Sequence, residues 1–347
     1  MTLLFALLSL LFPAAEATIV FAGDAMQHQS QLDNARRGAN VYDYSDTFAE
    51  VAPWILAADY AVVNLETTLG DHGYSGYPMF CSPDAWAVAL RDAGFDLFLT
   101  ANNHTLDRRD AGLRRTVHVL DSLGVDHIGT YADSESRRKS LPLVRDINGF
   151  RVGFLNYTYG TNGIGISGDV VVDYIDRDTV KADIASARAA GAELIVVLPH
   201  WGVEYELTER QSQRDLARFM LENGADAVIG GHPHVIQPMH VTDKGVIVYS
   251  MGNFVSGMRT TDTRGGAMVR MKVCRDDTGR AVIDRVEYRL VFTVPGQAGR
   301  RADRLIFVDD EADFSEAGPR AGQCRAFTAN ALKIFDRHNT DVMRWRK

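Results

Sequence analysis

The chain has 347 residues, 46% of them hydrophobic, enough for one large core or two small ones. A net charge of −8 with no Lys/Arg block along one face argues against nucleic acid and against a membrane surface bound through basic patches. The three cysteines, Cys81, Cys274 and Cys324, are an odd, small number that argues against a disulfide scaffold while leaving room for one disulfide, and none stands in a CxxC or Cys/His metal spacing.

Residues 3–12 form an apolar stretch of signal-peptide length, too short to span a bilayer. Ala15-Glu16-Ala17 follows as a cleavage-type tripeptide, although the leader carries no Lys or Arg. The expectation is a signal peptide over 1–17 and an exported protein, periplasmic or extracellular, or membrane-associated if the leader is kept as an anchor.

The β-branched run 18–22 reads as a buried first strand ending at Gly23-Asp24. Residues 44–58 have helical spacing, with Ser45 or Asp46 as cap and Pro53 dividing the helix. A strand at 60–65 ends at Glu66, and the Gly/Pro-rich, aromatic stretch 70–83 is a loop. A short helix at 84–93 precedes a strand at 96–101 that runs into Asn102-Asn103-His104. A helix at 110–123 stops at Gly124. A strand at 152–157 leads into a loop, 159–169, with four glycines. A helix at 177–190 follows, then a strand at 193–198 ending at Pro199-His200, and a helix at 209–222 stopped by Gly224.

Buried strands are expected at 225–230, directly before Gly231-His232-Pro233-His234, and at 246–249. Beyond them, 267–273 and 282–292 alternate apolar and polar, the pattern of half-exposed antiparallel strands. Residues 296–347 are charged and poorly periodic, with one helical stretch at 327–335. The chain is therefore an α/β protein with an antiparallel addition: one domain over 18–295 and a partly helical extension over 296–347.

In α/β sheets ligands bind beyond the carboxyl ends of the strands. Those ends carry Asp24, Glu66, Asn103, His104, His200, His232, His234 and Asn253. Singly, each has an ordinary explanation as a turn residue, a cap or a core histidine. Together they make an oxygen/nitrogen ligand set without thiolate, suited to manganese, iron or zinc rather than calcium. The number of donors suits two ions with a bridging carboxylate better than one.

Six ordered stretches carry a resemblance to a known family. They are Phe21–Met26, Asp59–Glu66, Ala101–Asp107, His200–Tyr205, Gly224–Val235 and Ser250–Phe254. The chain resembles the bacterial capsule-synthesis protein CapA, or poly-γ-glutamate biosynthesis, family, a divergent relative of the calcineurin-like metallophosphoesterases. The resemblance implies a four-layer α/β/β/α sandwich. It implies that Asp24 and His234 bind one metal, that Asn103, His200 and His232 bind a second, and that Glu66 bridges them. His104 would stand by the leaving group, oriented by Asp107. Glu204 and Asn253, with Tyr157 and Tyr159, would contact substrate or support the ligands. Met26 departs from the phosphoesterase pattern, which has a histidine there.

Two functions follow as expectations. One is a metal-dependent hydrolase acting on a phosphoester or on an amide bond of an anionic envelope polymer such as poly-γ-glutamate. The other is a non-catalytic polymer-binding or export subunit that accompanies a membrane synthase complex. Loops 70–83 and 157–169, with Tyr74, Tyr77, Phe80, Tyr157 and Tyr159, would form the walls of the substrate groove.

Overall fold

The computed structural model of the protein describes residues 16–308 and 314–346. The expected leader lies outside these residues except for Glu16 and Ala17, which pair with Cys274 and Val273 at the start of the first strand.

Two sheets face each other. The strands of the first are β1 (Glu16–Ala25), β2 (Tyr60–Leu65), β3 (Leu97–Leu99) and β4 (Asp126–Ile128), all parallel to their neighbours. Those of the second are β5 (Leu143–Ile147), β6 (Phe150–Thr158), β7 (Leu194–His200), β8 (Ala227–Ile229), β9 (Met239–Thr242) and β10 (Gly245–Val248), in the order β9-β10-β8-β7-β6-β5. The chain then returns to the first sheet. β11 (Asn253–Val255) lies parallel to β1, and β12 (Gly265–Arg275), β13 (Ala281–Val294) and β14 (Arg304–Phe307) extend its other edge antiparallel. β2 is buried at every residue, as a parallel strand covered on both faces must be.

Side-chain alternation sets the layers. Phe21, Val62 and Leu99 of the first sheet meet Phe154, Val196 and Ile229 of the second in one central core. Their neighbours Val20, Ala61, Val63 and Phe98 face outward onto Trp86, Leu90 and Leu120 of helices α1 (Asp84–Asp92) and α2 (Arg109–Leu123). On the far side, Leu155, Ile195 and Val228 pack on Ile184, Ala217 and Met220 of α3 (Arg177–Ala189) and α4 (Gln211–Glu222). The result is the expected α/β/β/α sandwich. Burying one such large apolar side chain contributes about 1.5–3 kcal/mol.

Asn156 ties the two sheets together at the edge where the strands end. Its Oδ1 accepts from the Ala101 N–H at 2.8 Å, and its Nδ2 donates to Leu198 O at 2.8 Å.

Several stretches differ from the sequence reading. Residues 44–58 hold only a short helix, Ala52–Ile55, because Pro53 removes a donor and Asp43 accepts from Ser45 N–H in a local turn. Tyr44, Phe48, Val51 and Ile55 are nevertheless buried against the first sheet. Gln29–Ala35 and Ser134–Ser140 are helical, and Leu143–Ile147 is a strand, where none was expected. The tail adds β14 to the first sheet and a helix, α5 (Ala321–His338), whose Cys324, Phe327, Ala331 and Phe335 enter the central core. No described helix is long and apolar enough to cross a membrane.

Candidate metal centre

The carboxyl ends of β1, β2, β7 and β8 converge on one buried pocket. Asp24 and Glu66 are both fully buried, and Asn103, His200, His232 and His234 are nearly so. Two triads of potential ligands share one member: Asp24, Glu66 and His200 in one, Glu66, His232 and His234 in the other.

The local backbone is built for this convergence. Gly231 lies so close to Asp24 that a Cβ there would stand 2.8 Å from its Oδ1. The turn after it places His232 at φ 99° and His234 at φ 59°, a left-handed region that non-glycine residues enter only when their surroundings hold them there. Part of that hold is visible: His232 N–H donates to Asp24 Oδ2 at 3.2 Å.

Hydrogen bonds fix each ring. Asn253 Nδ2 donates to Thr263 O, which turns its Oδ1 toward His234 Nδ1 at 3.0 Å. That bond holds the proton on Nδ1 and leaves the His234 Nε2 lone pair facing Glu66 Oε1 at 3.7 Å. His200 Nε2 is 3.7 Å from the same Glu66 oxygen and 2.9 Å from Asn103 Oδ1. Asp24 accepts from Asn64 Nδ2 at 2.8 Å.

The electrostatics point the same way. Burial and the neighbouring Asp24 carboxylate push the Glu66 carboxyl well above its ordinary range. Asp24 is held far below its own: burial opposes ionisation, but bonding to His234 and the nearby His200 outweigh it. Burial and the His232 ring push His200 well down, and burial with His234 pushes His232 to about 3.

A divalent cation fits this donor set. Glu66 Oε1 and His232 Nδ1 are buried without a hydrogen-bond partner, an arrangement that is costly unless a cation completes it. The donors are carboxylates, imidazoles and an amide oxygen, the set that suits first-row divalent metals.

His104 belongs to neither triad. Its Nδ1 donates to Asp107 Oδ2 at 2.8 Å, and the same carboxylate oxygen accepts from Phe80 N–H at 2.6 Å. Phe80 presents its ring to His104 edge-on at 4.6 Å. Tyr159 is half exposed, with its ring 4.5 Å from that of His232. Tyr157 is not a groove wall: it is fully buried in the outer layer and donates its hydroxyl to Asp183 Oδ2 at 2.9 Å. Glu204 is half-buried, on the loop after β7.

Four residues of the centre escaped the sequence reading. Asn64 also reaches Glu66 Oε2 at 3.3 Å and His200 Nδ1 at 3.4 Å; an amide inside an otherwise apolar strand was its signal. Asn162 meets Asn103 at 3.3 Å. His28 packs edge-on to Phe80 at 5.2 Å, and its Nδ1 accepts from Gly257 N–H. Tyr205 faces His234 with ring centroids 6.2 Å apart.

Comparison with known proteins places this geometry in a family context. The family described as bacterial capsule synthesis protein PGA_cap matches residues 18–258. The chain is 28% identical over 280 residues to the capsule biosynthesis protein CapA of Bacillus anthracis, covering 78% of this chain and 66% of that protein. It is 28% identical over 277 residues to the PGA biosynthesis protein CapA of Bacillus subtilis, covering 77% of this chain and 70% of that one. It thus spans about two thirds of the length of both relatives. Among solved structures, the NAD nucleotidase of Haemophilus influenzae aligns with 95% of this chain and 58% of its own at a TM-score of 0.48 and 16% identity.

Proposed function

The chain belongs to the PGA_cap family of bacterial capsule synthesis proteins, and from that premise we propose that it is a metal-dependent hydrolase acting on a γ-glutamyl envelope polymer. The observation that carries the reading is the pair of buried triads joined at Glu66. Similarity to proteins of capsule and PGA biosynthesis supports the choice of polymer. Export of the chain is part of the proposal and rests on the apolar stretch 3–12 and Ala15-Glu16-Ala17.

Asp24, Glu66, Asn103, His200, His232 and His234 would hold two divalent ions, of manganese, iron or zinc. When bound, such ions activate water and polarise the scissile group. The remaining steps belong to the chain's own side chains. Asp107 accepts from His104 Nδ1 and holds the ring in place, so that His104 Nε2 can deliver a proton to the leaving group. Phe80 shields that proton path from water on one side. Asn253 and Asn64 keep His234 and Asp24 oriented.

The test is elemental analysis of the purified protein beside Asp24→Ala and His232→Ala, with hydrolysis of poly-γ-glutamate and of a generic phosphodiester measured on the same samples. About two equivalents of metal in the parent, reduced in both variants, with turnover of the polymer, is the expected result. Metal bound with no turnover of either substrate rejects the hydrolase reading. No metal after addition of Mn²⁺ or Zn²⁺ rejects the centre itself.

A further inference from the structure

Asn103, the amide ligand of the centre, is held by a residue of the loop that follows β6. Its Nδ2 donates to Asn162 Oδ1 at 3.3 Å, while its Oδ1 lies 2.9 Å from His200 Nε2. The two ends of an amide are alike in shape and opposite in character: the oxygen accepts, and the NH₂ group only donates. Which end a buried asparagine turns inward is therefore set by the partner that tells the two ends apart. An NH₂ group turned toward His200 would offer no lone pair to a cation.

The segment that carries Asn162 is fastened at both ends and in the middle. Tyr159 N–H donates to His200 O at 3.0 Å, and Ser167 N–H and Oγ both donate to Asp110 Oδ2 at 3.1 Å. Between them Asn162 and Gly163, at φ 51° and 74°, make a tight turn. Ile164 N–H donates to Thr161 O at 2.8 Å, and Thr161 Oγ1 donates to Ile164 O at 2.7 Å, which closes that turn twice. Ile164 packs against the cluster of Leu106, Leu113 and Val117, so the turn rests on the stretch just beyond Asn103 and His104. Asn162 lies at the exposed tip of the turn, yet its side chain meets a residue that is buried.

We propose that Asn162 is a positioning residue for the metal centre: by accepting from Asn103 Nδ2 it keeps the Asn103 oxygen turned toward the cation. The inference rests on the metal-centre reading and adds to it a loop residue outside the ligand set. Its effect falls on the ion that Asn103 would share with His200 and His232. The left-handed backbone at Asn162 is one that asparagine, aspartate and glycine tolerate. Asn162→Gly thus removes the acceptor and keeps the turn, and Asn162→Asp keeps both.

The test is calorimetric titration of Mn²⁺ into the metal-free full chain and into Asn162→Gly and Asn162→Asp, with thermal unfolding of the metal-free proteins alongside. The parent is expected to bind about two equivalents. In Asn162→Gly one equivalent should weaken about 10–100-fold, the range for losing the partner behind a ligand, while the other equivalent and the unfolding temperature stay at parent values. Asn162→Asp should bind both equivalents at least as tightly as the parent. Parent affinities kept in Asn162→Gly, an equal loss in Asn162→Asp, or a loss that comes with a lowered unfolding temperature would overturn the positioning role and leave the centre standing. A parent that binds no Mn²⁺ would overturn the centre and this role together.

Discussion

Glu66 turns a carboxylate oxygen that no donor reaches to within 3.7 Å of His234 Nε2. The same oxygen is 3.7 Å from His200 Nε2, so one side chain joins imidazoles from two different strand ends. A fully buried carboxylate in that position is costly alone and useful only when a cation sits between the partners.

Glu66→Ala should therefore empty the whole centre, because it is the member common to both triads. Elemental analysis should fall from about two equivalents to near zero. His232→Ala, which breaks one triad, should leave an intermediate content. Equal retention of metal in both variants would contradict the shared role of Glu66.

His104→Ala and Asp107→Asn should behave differently. Neither residue is in a triad, so metal content should stay at the parent level. Turnover should drop about 10²–10⁴-fold in His104→Ala, the range for loss of a general acid. Metal lost together with activity in His104→Ala would show that the ring belongs to the ligand set instead.

Asn156 offers a stability test that does not depend on chemistry. Its amide satisfies backbone groups of Ala101 and Leu198 from opposite sheets, and all of these are buried. Asn156→Ala should cost about 1–3 kcal/mol for each polar group left without a partner. Denaturant unfolding would measure it, and a change below about 0.5 kcal/mol, the size of an ordinary surface substitution, would mean that the two sheets do not rely on this link.

How much of this was readable depends on where each residue sits. Asp24, Glu66, His200 and His232 follow apolar runs, so strand ends and ligands were visible together. Tyr157 and Tyr159 were both read as aromatics of the loop 157–169. The strand stops at Thr158, however, and Tyr159 enters a loop whose N–H donates to His200 O, so only the second tyrosine reaches the pocket. His28 and Tyr205 were hidden for another reason: they reach the centre through loop backbone, which has no period to read. Of the tail only the stretch 327–335 was legible as helix; the helix begins at Ala321, and its docking into the central core through Cys324, Phe327, Ala331 and Phe335 depends on partners far away in sequence.

Asp173 gives the last prediction, a pH dependence set apart from the metal ligands. It is buried beside Arg137, whose Nε donates to it at 2.5 Å, while Asp183 takes another of that arginine's donors at 2.6 Å. Burial pushes the Asp173 carboxyl up to about 6, and the Arg137 bond only partly offsets this. The folded value lies above the unfolded one, so the fold favours the protonated form. That contribution is fully present below about pH 4, where both states are protonated, and is lost as pH rises through about 6. A shift of that size corresponds to about 3 kcal/mol. Asp173→Asn, which keeps the acceptor oxygen but cannot ionise, should gain stability relative to the parent as pH rises from 4.5 to 7.5. The measurement is the difference in unfolding free energy at several pH values, and a difference that stays constant or runs the other way would mean that Arg137 keeps Asp173 ionised throughout.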